Sequence, residues 1–447
     1  MNRKNIAWML VLVLLCSILS GCETKKKKED NMKSQPVSYE MLMEQWQKQA
    51  TEETLTCWYT GKTDQAWLEN AAAQFEKEYS VKVDLVYYDG ISLFEDMNQA
   101  NQKGEGPDVY LLGNDQLQFA VESGMAEEND WLDTAFWNKH YPEIAKKAIT
   151  YQNKQYGYPL YFDTYCLVYD ANLLETAPAS IDDILSFLDE YEDTGSTKAV
   201  FRWDVADPYI NSMFIASYAN LFGENGDIPT EFKVNDEKCV ATMEYFQSLS
   251  AYLWMDKNNI SHDTITNRIK NGTLVLGLCK SDILPTLYEM QAVNENAAQT
   301  KDESKDESEE TQDSTAVTAT NYQVSYVPSL TQEMSSTTFS TTYSAFVNPY
   351  GKDNGLGNMF GMYLSLTCAS SQYEGNGKLP VVNQKDKFDS MQTVVYSQYL
   401  NSKPVPKVMV LGDYLMESGI AFDAIWSGEN AQEQLDKLQQ IMEEKIK

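Results

Sequence analysis

Apolar residues along this chain switch repeatedly between a two-residue and a 3.6-residue period, which restricts it to an α/β fold with a parallel sheet. Leu55 to Tyr59 reads as a short buried strand. Gly61 follows, then a helix from about Gln65 to Tyr79 on which Leu68, Ala71, Ala72, Phe75 and Tyr79 share one face. Val81 to Tyr88 alternates again, with Val81, Val83 and Leu85 on one side. A helix near Ser92 to Gln102, the turn Gly104-Glu105-Gly106-Pro107 and a strand from Asp108 to Leu112 complete two βα units. Farther on, Gln155 to Val168 is strand-like and rich in aromatics. Ser180 and Asp183 make a capping box for a helix carrying Ile181, Ile184, Leu185 and Leu188, and Asn430 with Glu433 caps a last helix through Leu435, Leu438, Ile441 and Met442. No internal repeat of domain size is visible.

At 447 residues, with 43% hydrophobic and 23% charged residues, the chain can bury a sizeable core and has the length of two or three domains. Its 66 Asp and Glu against 35 Lys and Arg give a net charge of -31, which argues against a nucleic-acid partner because phosphate would be repelled. Two histidines, His140 and His262, leave little for a histidine metal site or an imidazole base, and neither a metal nor a cofactor is expected. Cys57, Cys166, Cys239, Cys279 and Cys368 are far apart, lack a C-x-x-C pair and read as buried free thiols. There is no G-x-S-x-G elbow, P-loop, H-E-x-x-H or G-x-G-x-x-G, so the reading is a binding protein and not an enzyme. Asp163 and Asp204 could form a glycosidase pair, but carboxylates are too abundant here to single them out.

The N-terminus reads as a targeting segment: Arg3 and Lys4 precede a nearly charge-free run from Ile6 to Leu19. That run ends in Leu19-Ser20-Gly21-Cys22, which resembles the lipobox of bacterial lipoproteins. Residues 1–21 are therefore expected to be removed and Cys22 to be lipidated, placing the chain on the outer face of the bacterial cytoplasmic membrane. Residues 22–51 are expected to be a polar tether, and an acidic segment at about 295–320, within the polar stretch Gln291 to Thr320, a disordered surface insertion.

Ligands of open α/β sheets bind beyond the carboxyl ends of the strands, so residues there are the first candidates. They are Trp58, Tyr59, Lys62 and Asp64 after the first strand and Gly113, Asn114 and Asp115 after the third. The stretch Tyr156 to Tyr165 holds five aromatics and Asp163, a mixture that suits a neutral polyhydroxylated ligand: ring faces cover sugar C–H groups while carboxylates and amides take hydroxyls. Arg202-Trp203-Asp204, Asp207, Tyr209, Lys280, Asp282 and Tyr343 are further candidates, each weak alone, and any of these aromatics could equally point into a core.

Four landmarks in order make the chain resemble the extracellular solute-binding proteins of bacterial ABC importers, the cluster that includes maltose-binding protein. They are the Leu55 to Tyr59 strand followed by Phe75-Glu76-Lys77-Glu78-Tyr79, the segment Gly104 to Val109, similar to the family's "SGDAPDV", and Gly157-Tyr158-Pro159-Leu160-Tyr161 with Tyr169 to Leu174. The fourth is Lys378-Leu379-Pro380-Val381 with the terminal helix after Gly428. Two departures are Ile269 to Leu274, a reduced form of the family's F-x-x-G-K-A-A-M segment, and the acidic insertion. The resemblance implies a periplasmic-binding-protein-like fold: two α/β lobes, 52–163 plus 326–382 and 164–325 plus 383–447, joined by a hinge around a central cleft. It implies capture of a small solute, most readily a carbohydrate, by lobe closure, and delivery to ABC permease subunits by a monomer. A peptide, polyamine or phosphorylated solute, or a sensor module uncoupled from transport, are the alternatives. By carry-over, Trp58, Tyr59, Asn114, Asp115, Tyr161, Asp163 and Tyr165 match cleft positions; Trp203, Lys280 and Tyr343 join them on residue type and approximate place.

Overall fold

A computed structural model describes residues 37–192, 198–303, 320–382 and 385–447; the signal segment and Cys22 lie outside these. Ten strands matter for the site: β1 (Thr54–Tyr59), β2 (Lys82–Tyr87), β3 (Val109–Gly113), β4 (Tyr158–Asp163), β5 (Tyr165–Asp170), β6 (Ala199–Arg202), β7 (Leu274–Lys280), β8 (Tyr322–Ser325), β9 (Phe339–Val347) and β10 (Lys403–Pro404). They form two sheets. The first runs β10-β9-β3-β1-β2, with β4 also paired to β9; the second runs β8-β5-β7-β6.

Parallel pairing holds where βα units supply the strands, as in β1 with β2 and β3. The sheets are mixed, however, because β9 returns antiparallel to β3 and β4, and β5 runs antiparallel to β7 and β8. The helix Gln65–Tyr79 covers the first sheet with Trp67, Leu68, Ala71, Ala72 and Phe75, the face its spacing predicts. Helices Glu237–Tyr252, Leu411–Trp426 and Ala431–Lys445 build a separate core around Phe201, Phe214, Phe246 and Leu435.

Among the described residues the chain passes between the sheets twice, from β4 to β5 and from β8 to β9, and the two crossings lie side by side. At the first, Thr164 parts β4 from β5, so the strand-like run from Gln155 to Val168 is two strands in two sheets. Thr164 exchanges backbone and side-chain bonds with Ser281: its N–H donates to Ser281 Oγ at 3.2 Å and its carbonyl accepts Ser281 N–H at 2.8 Å. Ser340, on the second crossing, donates its hydroxyl to Thr164 Oγ1 at 2.8 Å and shares a 2.5 Å bond with Ser402 Oγ, just before β10.

Three expectations change. Residues 326–338, expected with the first lobe, pack on the second core through Val327 and Leu330; the return to the first sheet starts at Phe339. The tether expected over 22–51 contains the helix Tyr39–Gln49, capped by Ser38 Oγ accepting Met41 N–H and anchored by buried Leu42, Met43 and Trp46. That apolar stripe at i, i+1 and i+4 outweighs the polar composition around it. The polar stretch from Gln291 is helical as far as Glu303, because it extends a helix that starts at buried Leu284 and Leu287 and continues through good helix formers; residues 304–319 lie outside the described residues. The five cysteines are free and buried, and burial pushes the Cys239 and Cys368 thiols up to about 12.

Candidate functional site

A cavity of about 310 Å³ opens where the two crossings meet, lined from both sheets. From the first come Asp163 at the end of β4 and Thr341 and Tyr343 on β9. From the second come Tyr165, the Asp207 to Tyr209 segment and Lys280 at the end of β7. The placement follows from topology: β4 and β7 both end at the crossing line, and strand ends are where open sheets hold ligands.

Behind the first wall the groups are locked to one another. The Tyr161 ring stacks on Tyr343 with centroids 4.8 Å apart. The Tyr161 hydroxyl donates to Asp64 Oδ2 at 2.5 Å, and Asn376 Nδ2 donates to Asp64 Oδ1 at 2.8 Å. Asp64 is 1% exposed; burial pushes its carboxyl above the usual range, opposed by these two bonds. Lys378 Nζ donates to Asp163 Oδ1 at 2.6 Å, and Ser281 Oγ approaches the same oxygen at 3.5 Å.

On the second wall, Asp207 accepts the Tyr165 hydroxyl at 3.2 Å and the Tyr209 backbone N–H at 2.8 Å. The Tyr209 and Thr341 hydroxyls share a 2.7 Å bond across the cavity. His262 Nε2 lies 3.2 Å from Asp282 Oδ1. Burial raises the Asp282 carboxyl, but the His262 hydrogen bond and charge, with Lys378 and Lys280, outweigh it and hold the group below its usual value. Burial, then the charge of Asp207, push Asp204 up. The Lys280 ammonium, by contrast with its strand-paired backbone, has no hydrogen bond or ion pair among the described residues. No group of three or more potential metal-binding side chains occurs among the described residues.

Of the ten residues expected from sequence, Asp163, Tyr165, Lys280 and Tyr343 line this cavity, and Tyr161 backs it. Asp115 lies beside it, close enough that its charge acts on Tyr209 and Tyr343, while burial pushes its own carboxyl up. The others sit elsewhere. Trp203 is 0% exposed in the second core, its Nε1 donating to Asn211 Oδ1 at 2.9 Å and its ring against Phe201, Phe214 and Trp426. Asn114 is also fully buried and spends its amide on structure: Nδ2 donates to the Val405 carbonyl at 2.9 Å and Oδ1 accepts Thr342 N–H at 2.8 Å. Tyr59 is in the first core beside Tyr87, and half-buried Trp58 stacks on Tyr88 at 5.7 Å, away from the cavity. Asp64, Asp207 and Tyr209 were readable as strand-end or aromatic candidates; Lys378 and Thr341 had no such signal.

Two mixed sheets with two adjoining crossings and a polar, tyrosine-lined cavity between them define a two-lobed binding protein. A family model for bacterial extracellular solute-binding proteins matches residues 70–342, and the chain belongs to that family. It is 26% identical over 222 residues to the maltodextrin-binding protein MdxE of Bacillus subtilis, covering 47% of this chain and 52% of that protein. It is 25% identical over 141 residues to the maltotriose-binding protein of Pyrococcus abyssi, covering 32% of this chain and 30% of that protein. The chain thus matches at most about half the length of these curated relatives. Among solved structures, a cyclo/maltodextrin-binding protein complexed with maltotetraose superposes with a TM-score of 0.72 at 18% identity over 89% of this chain and 98% of that one. An extracellular solute-binding protein from Staphylococcus aureus in complex with maltose gives 0.71 at 19% identity, with 89% and 98% covered. At such identity the likeness establishes the fold.

Proposed function

We propose that this chain captures a carbohydrate of oligosaccharide size in the cleft between its lobes and hands it to an ABC permease, held at the outer face of the membrane by lipid on Cys22. The observation that carries the reading is the cavity itself, where Tyr165, Tyr209 and Tyr343 surround Asp163, Asp207 and Lys280. Ring faces suit sugar C–H groups, and the charged groups suit hydroxyls that both donate and accept. The relatives' names, which describe binders of maltodextrin, maltotriose and galactooligosaccharide, support the same class. Binding without turnover follows, with hinge rotation about the two crossings closing the lobes on the ligand. Asp163, Tyr165, Lys280 and Tyr343 are the contacts carried forward from the sequence, joined by Asp207, Tyr209 and Thr341.

Calorimetric titration of the folded chain with maltose through maltotetraose and with galactooligosaccharides tests this. Saturable binding to one of these series, weakened by Tyr209→Ala, is the expected result; no binding to any neutral oligosaccharide would sink the reading. A cationic solute such as a polyamine is the second reading, favoured by the carboxylates of Asp163 and Asp207 in the cavity beside Lys280. Spermidine in the same titration separates the two.

A further inference from the structure

The chain has three arginines among its 35 basic residues, and the two that the structure describes, Arg202 and Arg268, meet at one surface cavity of about 210 Å³ on the second lobe. Arg202 closes β6, the edge strand of the second sheet. Arg268 lies one turn after Thr264 on the helix His262–Lys270, which packs against β7. A third side is the indole of Trp254, 81% exposed, a large apolar surface to leave in water. None of the lining residues is shared with the cleft cavity.

Arg202 Nη1 donates to the Phe201 carbonyl at 2.7 Å, which fixes the orientation of the guanidinium. Burial, and next the charge of Arg268, hold Arg202 below its ordinary value. Neither arginine has an ion-pair partner among the described residues, although the chain carries 66 acidic residues. Asp256 also lines the cavity, but its oxygens accept the Asn258 backbone N–H at 3.0 Å and the Asn259 side-chain amide. Two guanidinium groups facing one space repel each other until an anion neutralises them, and their planar forks match the oxygens of phosphate or carboxylate.

We propose that this cavity is an oxyanion site, taking a phosphate or carboxylate that is either free or carried on a saccharide ring packed against Trp254. The proposal does not rest on the cleft reading, because its residues and ligand charge are different. The two sources share the gripped group and differ in what they ask of the indole.

Calorimetry on the folded chain at low ionic strength, with inorganic phosphate, glucose 6-phosphate and neutral glucose as probes, tests it. Both anions should saturate a single site. Arg268→Gln, at an exposed position that should not disturb folding, should weaken both by roughly tenfold or more. Arg268→Lys, which keeps charge without the fork, should recover part of that loss. If Trp254→Ala weakens glucose 6-phosphate and leaves phosphate unchanged, the ring-bearing anion is the ligand; equal, unaffected affinities make the free anion the ligand and keep the site. Absence of saturable anion binding, or binding indifferent to both Arg202→Gln and Arg268→Gln in variants shown to be folded, overturns the proposal. Neutral oligosaccharide titrations on the same variants report the cleft independently.

Discussion

The two walls of the cleft treat charge in different ways. On the first, each carboxylate already has partners: Asp64 has Tyr161 and Asn376, and Asp163 has Lys378. On the second, Asp207 is held by Tyr165 and Tyr209, but Lys280 stands unpaired although its charge reaches Asp204 and Asp282. A satisfied group gains little from a ligand, whereas an unpaired ammonium gains a charge-assisted hydrogen bond. Under the proposed function, the first wall is a platform set in advance and the second does the choosing.

Deleting the buried anchor should show this most strongly. Asp64→Ala strands the Tyr161 hydroxyl and the Asn376 amide, so urea unfolding should report a loss of about 3 kcal/mol, with Asp64→Asn losing much less. An unchanged midpoint in the alanine variant would mean that the first wall is not pre-set. Tyr343→Ala removes the ring that fronts Tyr161, and calorimetry should show affinity for the cleft ligand falling roughly a hundredfold; a change below about threefold breaks the platform assignment. Lys280→Met should cost roughly tenfold in affinity with the unfolding midpoint unmoved. Lys378→Met should do the reverse, lowering stability first, and equal effects of the two lysines on affinity would erase the contrast.

A lysine outside both walls sharpens the comparison. Lys407 is fully buried and its Nζ donates to the carbonyls of Lys147 at 2.8 Å and Asn225 at 2.6 Å, tying the helix Glu143–Ala148 to the turn that holds Asn225. Burial lowers its ammonium to about 8. Above that pH the folded chain releases a proton that the unfolded chain keeps until about 10.4, so this group adds stability as pH rises through the window. The stability difference between the parent and Lys407→Met should therefore grow by about 1 kcal/mol from pH 8 to 9, read from urea midpoints. A flat difference would show that the ammonium is not strained by burial.

Local signals were legible and distant ones were not. Gln65 to Tyr79 and the Ser180–Asp183 capping box announce themselves within a few residues, because periodicity and cap chemistry are local. Asp163 and Tyr165 could be read as candidates from their aromatic surroundings. Trp203 could not be assigned, since a large aromatic beside charged residues reads the same whether its ring enters a core or a cleft; Trp426, which with nearby Phe214 decides the matter, comes from a remote segment. Lys378 reaches Asp163 across 215 positions of sequence, and Thr341 meets Tyr209 across 132, so only the folded topology makes them neighbours. The break at Thr164 was hidden for the same reason: its partner Ser281 follows β7 and its partner Ser340 lies on the second crossing, both far away in sequence.

The position of β9 also has a consequence for the order in which the molecule can be built. Its Tyr343 pairs with Gly113 of β3, so the first sheet remains without an inner strand until most of the polypeptide has been synthesised. A nascent chain emerging from the ribosome can assemble β1, β2 and β3 but cannot close that layer, and contacts of such sequence separation form slowly even in the finished chain. Completion of that layer late in synthesis is thereby built into the wiring of the strands themselves.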